Sequence, residues 1–191
     1  MRRMRPVTVT LGAALAAGLT LAPSPSSAQT SDEYARHLAA GTLAAAAGNT
    51  ENAAQEFGLA VQTDPSRPEA VCLLAQAHRL RGDLAGALDS FGSCAQVART
   101  AGDARWTARA MHGLASTLER MPERLGEARA AWLDYVRFAD GAAAVTTPQV
   151  GRARVTAVDV VQELERVTAQ VRDRIAERER AGAAAPGGRT P

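Results

Sequence analysis

The chain has 191 residues, 46% of them apolar but only 4% aromatic, and all 22 of its basic residues are arginine. Length permits one or two domains, and a core drawn from Ala, Leu and Val favours helices over a β-sandwich or barrel. Two cysteines exclude a disulfide-rich scaffold and a zinc finger, and the apolar content excludes a wholly disordered chain.

Residues 1–28 read as a secretory leader. Arg2, Arg3 and Arg5 precede an uncharged run from Val7 to Ala22, and Pro23 to Ala28 closes the segment with helix breakers and small side chains. Cleavage is expected after Ala28. The apolar run is shorter than the ~20 residues that span hydrocarbon, so no stable membrane span is expected once it is removed. No cysteine lies near the cut to carry a lipid anchor, and Arg2-Arg3 lacks the polar-Phe-Leu sequel of a twin-arginine signal. The expected address is therefore the periplasm or exterior of a bacterium. Loss of the three leader arginines leaves 19 arginines against 20 acidic residues, in place of a formal charge of +2. No basic excess survives to displace the counterions of a nucleic acid, so none is expected as a partner.

Residues 29–140 carry an internal repeat. Gly48 and Gly82 stand 34 apart, as do Ala53 and Ala87, Phe57 and Phe91, and Ala60 and Cys94. Upstream, Leu74-Ala75 matches Ala40-Gly41 at the same spacing. A third, looser copy sets Leu125, Ala128, Trp132 and Tyr135 where Leu84, Ala87, Phe91 and Cys94 stood, with Leu114-Ala115 upstream. That alignment needs one extra residue around Met121-Pro122-Glu123. Gly48 and Gly82 are placed to end helices in the left-handed conformation. Asp64-Pro65 and Arg67-Pro68 punctuate the join between copies, since a residue before proline avoids the helical region and Pro68 suits a helix first turn.

This pattern resembles the tetratricopeptide repeat over about residues 34–137. Gly41, Ala53, Phe57, Ala60 and Pro65 occupy signature positions in the first copy, and Leu74, Ala75, Gly82, Ala87 and Phe91 do so in the second. The fourth position, often Trp, holds His37 and Val71. The resemblance implies about three antiparallel helix pairs stacked as a short right-handed superhelix. Small residues would sit where backbones approach, and Phe57, Phe91 and Trp132 would fill the gaps. One pair alone cannot bury its apolar face, which makes about three copies the stable minimum.

Gly141 to Thr146 forms a break, and Thr147-Pro148 reads as an N-cap followed by proline in the first turn. A helix of ~33 residues and ~50 Å follows to about Arg180. Its first half, with Val155, Val158, Val160, Val161 and Leu164, is apolar enough to cap the stack. Val150, Ala157, Leu164 and Val171 recur every seven residues, with Val161 and Ile175 on the same stripe and Arg154 and Thr168 interrupting it. Coiled-coil pairing, including a homo-oligomer, is the alternative use of this helix. Arg172 to Arg180 alternates charge as a solvated face does. Residues 181–191 read as a flexible tail.

No residue pattern points to catalysis. His37, His78 and His112 fall one per copy without the spacing of a metal-binding helix, so packing roles and no metal site are expected. Carboxylates are scattered singly, no serine has the G-x-S-x-G context, and no phosphate-binding glycine loop is present. The expectation is a protein that is not an enzyme and needs no cofactor.

The resemblance also implies a site. First helices of such repeats line a concave groove that binds peptides. Its positions here are Ala35, Leu38, Thr42 and Ala45, then Glu69, Cys72, Gln76 and Arg79, then Arg109, His112, Ser116 and Glu119. Gln76, Arg79, Arg109, His112 and Glu119 are the polar candidates, the two arginines being able to hold a carboxylate by bidentate hydrogen bonds. The asparagines of carboxylate-clamp members are replaced by Ala39, Leu73 and Gly113. The same geometry turns Cys72 toward the groove and Cys94 between helices. That favours two small unbonded hydrophobes, although an oxidising compartment permits a disulfide between them. The expected function is an exported scaffold that binds a protein or peptide partner. The alternatives are an oligomerisation module working through the last helix and a non-catalytic subunit of an envelope enzyme or assembly complex.

Overall fold

In the computed structural model, residues 27–142 and 144–184 are described, with side chains up to Gly182. The described residues form seven α-helices and one 3-10 turn, with no strand. The helices are α1 (Ser27–Ala46), α2 (Thr50–Thr63), α3 (Pro68–Leu80), α4 (Leu84–Thr100), α5 (Ala104–Leu118), α6 (Leu125–Gly141) and α7 (Pro148–Ala184). Each packs on the next in sequence, and α3 also touches α5. Of the leader, only Ser27 and Ala28 belong to this structure, both exposed in the first turn of α1; residues 1–26 lie outside the described residues. Of the tail, residues 185–191 lie outside them too. Residues 181–184 continue α7, which runs past its expected end at Arg180 to a length of 37 residues.

Three turns are built alike. Gly48, Gly82 and Gly102 adopt φ of 76°, 83° and 68°, where a side chain would be strained. In each, the next residue, Asn49, Asp83 or Asp103, donates its N–H back to the preceding helix, to the carbonyls of Ala44, His78 and Ala98. Its side chain then caps the following helix by accepting from the N–H of Asn52, Gly86 or Trp106. One glycine-plus-Asn/Asp dipeptide thus closes one helix and opens another. The join between α2 and α3 uses Pro65 and Pro68 instead, with Asp64 accepting from the Ser66 N–H and hydroxyl. The 3-10 turn Pro122–Arg124 occupies the stretch where the third copy carries its extra residue.

Small residues sit where the rings of Phe57, Phe91, Trp132 and Tyr135 meet neighbouring helices. A Cβ at Gly41 would lie 2.7 Å from the Phe57 ring. Ala75 packs with Ala87 and Phe91, and Ala115 packs with Trp132, all buried. A Cβ at Gly113 would lie 2.6 Å from Phe91 Cδ1, and one at Gly151 would lie 2.7 Å from Tyr135 Cδ1. Ala53, Ala60, Ala87 and Ala128 are wholly buried, so the core is made by close backbone approach around a few large rings.

Two expectations need correction. Cys72 does not face the groove: it is 1% exposed, Cys94 is 0% exposed, and the two form a disulfide across α3 and α4 with Cα atoms 5.3 Å apart. α3 packs against α2, α4 and α5, and Ala70, Val71, Cys72 and Ala75 fall on its packed sides, with Cys72 beside Cys94, Ala95 and Ala110. The cap on α6 also differs from the expected set. Pro148, Gly151 and Val158 of α7 are buried and Val155 is half-buried, whereas Val160, Val161 and Leu164 are 62%, 43% and 65% exposed.

Candidate functional site

The residues expected to line a groove fall in two regions. The first is an apolar cleft of about 170 Å³. Thr42 and Ala45 of α1, Ala53 and Phe57 of α2, and Leu73, Ala77 and Leu80 of α3 form its walls. Gln76 and Arg109 close one edge, where the Arg109 Nη2 donates to Gln76 Oε1 at 3.2 Å and the guanidinium lies 5.1 Å from the Trp106 ring centroid. Leu80 is 57% exposed, so the cleft opens onto solvent along an aliphatic lip. The recurrence Leu73, Gln76, Ala77, Leu80 is one face of a helix. Leu73, Leu80 and Phe57 were absent from the groove expected of the sequence. Leu80 had a signal: it is an unpaired aliphatic residue just ahead of a turn glycine.

The second region is polar. Arg79 Nη1 donates to Ser116 Oγ at 2.7 Å, and its guanidinium lies over the Phe91 ring. Arg120 Nη1 donates to the Arg79 carbonyl at 3.1 Å. The His112 ring meets the rings of Trp132 and Tyr135 edge-on, at 5.0 and 5.8 Å. His112 is exposed, but the rings packed against it partly desolvate the imidazole, and this, and then the nearby Arg79 charge, hold its pKa below the ordinary value, with Arg154 acting in the same direction and Glu119 opposing. The Glu119 side chain, 9% exposed, accepts from Trp132 Nε1 at 2.8 Å and from Arg154 Nε at 3.0 Å. That pair ties the end of α5 to α6 and α7. Arg154 and Trp132 were missed as polar partners; the signal for Arg154 was its place as a charge interrupting the apolar stripe of the last helix.

The five polar candidates therefore divide. Gln76 and Arg109 border the apolar cleft, while Arg79, His112 and Glu119 lie in the polar region, where each is already engaged. Of the other groove positions, Thr42 and Ala45 line the cleft, Leu38 and Glu69 are half-buried and Ala35 is exposed. The remaining histidines pair locally: His37 Nδ1 with Glu56 at 2.8 Å and His78 Nδ1 with Asp83 at 2.7 Å. Among the described residues, no three His, Cys, Asp or Glu side chains gather as metal ligands would, and no helix is long and apolar enough to cross a membrane. The sequence matches no protein-family model, and no curated protein matches it.

Proposed function

We propose that this chain is an exported, non-catalytic binding protein built on tetratricopeptide-type repeats. Its inner groove takes an extended segment of a protein partner. An aliphatic side chain of that segment fills the cleft between α1, α2 and α3, and a carboxylate of the segment meets Arg109. The observation that carries this reading is the cleft itself: an open apolar recess with one exposed guanidinium at its rim, whose only hydrogen-bond partner among the described residues is the neutral Gln76. An incoming carboxylate replaces that neutral partner with a charge-assisted one. The repeat assignment draws support from the three small-residue contacts under Phe57, Phe91 and Trp132, which recur at corresponding positions of the sequence. Export draws support from the leader and from a disulfide suited to an oxidising compartment.

A displayed library of peptides with free C termini tests the reading. Selection is expected to enrich an aliphatic residue near an acidic group or the C-terminal carboxylate. Thr42→Trp, at an exposed wall position, should block the cleft and abolish binding. Arg109→Ala should weaken binding by about tenfold, the equivalent of ~1.4 kcal/mol. No consensus, or unchanged binding by Thr42→Trp, would refute the proposal.

A further inference from the structure

We propose that α7 pairs antiparallel with α7 of a second copy of this chain. The pairing surface is separate from the apolar cleft between α1, α2 and α3, so the two proposals stand or fall independently.

α7 is about 55 Å long and α6 about 25 Å, at 1.5 Å per residue. Contact with α6 runs through Gly151, Val155, Val158 and Gln162. Beyond Gln162, every side chain up to Gly182 is exposed except the half-buried Thr168 and Ala176. On the side roughly 150° around the helix from α6, α7 presents two heptad rows. The first row is Val150, Ala157, Leu164 and Val171, and the second is Ala153, Val160 and Val167; all are exposed. The next position in the second row is Arg174 and the next in the first is Arg178.

Those two arginines decide the occupant and its direction. A parallel pair sets Arg174 against Arg174 and Arg178 against Arg178 at core positions, a like-charge contact in an apolar seam. An antiparallel pair in which each row meets the other sets Leu164 against Val167, Val160 against Val171, Arg174 against Ala157 and Arg178 against Ala153. The large apolar residues meet one another, and each arginine stem meets an alanine that leaves it room. Ala157 borders a cleft of about 250 Å³ that also holds Glu165 and the Arg154–Glu119 ion pair. Glu165 makes no ion pair among the described residues, so an arriving Arg174 finds a carboxylate there. The flanking row is compatible as well: Glu163 faces Gln170, and Thr156 faces Glu177, with no like charges opposed. This chain therefore supplies the complement of its own seam under a two-fold axis.

Sedimentation equilibrium of the purified chain tests the pairing over about a hundredfold range around micromolar concentration. A two-chain mass is expected at the upper end. Leu164→Glu with Val167→Glu changes only exposed positions. It should give a one-chain mass with the thermal melt of the repeat body unchanged. A chain carrying Val160→Cys, mixed with one carrying Val171→Cys and oxidised, should yield the mixed disulfide in excess over either self-linked product. A one-chain mass throughout would overturn the proposal and leave the seam to a different protein. So would a two-chain mass that persists in the double variant, or self-linked products alone.

Discussion

Gly113→Ala isolates the contact on which the middle of the array depends. The added methyl would lie 2.6 Å from Phe91 Cδ1 and nearer still to Cε1 and Cζ. Carbon atoms in contact settle at about 3.5–4.0 Å, so the ring must retreat by roughly 1 Å. It has nowhere to go: Phe91 is 3% exposed and hemmed in by Ala75, Ala87 and Leu114, with the Arg79 guanidinium over its face. Overpacking of this kind costs about 1–3 kcal/mol, against a helix-propensity gain of up to ~1 kcal/mol for Ala over Gly. The expected net loss is about 1–2 kcal/mol, or a few degrees in Tm for a chain of this size. Phe91→Ala alone should cost about 3–5 kcal/mol by leaving a cavity. In that background Gly113→Ala loses its clash and should become stabilising by up to ~1 kcal/mol, a coupling of about 2 kcal/mol. Urea unfolding followed by circular dichroism measures all four proteins. Additive effects, or a Gly113→Ala chain more stable than the parent, would refute this account of the packing.

Reduction of the Cys72–Cys94 bond should lower stability by about 3 kcal/mol, because the bridge closes a separation of 22 residues. Both residues are buried, so thiol release in native buffer should track the rate of local opening and rise steeply with urea; rapid release from the folded chain would contradict that burial. Acid should destabilise the α5–α6 junction. His112 takes up its proton less readily when folded, so its contribution is complete above the unfolded pKa near 6.5 and is lost as pH falls below that value and through the lower folded pKa. The Tm of His112→Phe should therefore fall less than that of the parent between neutral and mildly acidic pH; identical slopes would reject the assignment.

The helical fold and its close approaches were legible because both rest on local spacing. Ala recurs where backbones meet, Phe57 and Phe91 recur at 34 residues, and Gly48 and Gly82 mark left-handed caps. Gly102-Asp103 makes the same turn between α4 and α5 but escaped notice, since it lies at a join between copies where proline had marked the previous join. The disulfide was misjudged for a different reason. The resemblance placed Cys72 on the open face of α3, but that face carries Leu73, Gln76 and Leu80, and Cys72 packs instead with Cys94, Ala95 and Ala110. In the site, residue types were legible but their engagement was not. Arg79 was visible as a guanidinium, but no spacing rule shows that Ser116, 37 residues on, takes its hydrogen bond. The cleft was hidden for the same reason: Phe57 read as a gap-filling residue, and only the tertiary arrangement leaves a recess between it, Leu73 and Leu80.

Engagement of the arginines also bears on the proposed binding mode. Arg79 is held by Ser116, Arg120 by the Arg79 carbonyl and Arg154 by Glu119, so these charges are spent on joining helices. Arg109 is exposed with a neutral side-chain partner, so in the proposed binding mode recognition falls to one guanidinium and an apolar recess. A single rim contact is weakly screened compared with a charged surface, so peptide affinity should fall by less than about threefold on going from low to physiological chloride. The α7 seam differs in kind, being apolar along most of its length, and an excluded salt such as sulfate should strengthen its pairing. Measuring peptide affinity and chain mass in matched chloride and sulfate series separates the two surfaces. A steep loss of peptide binding in chloride would mean that the other arginines leave their partners to meet the ligand, and the division of labour argued for the groove would be wrong.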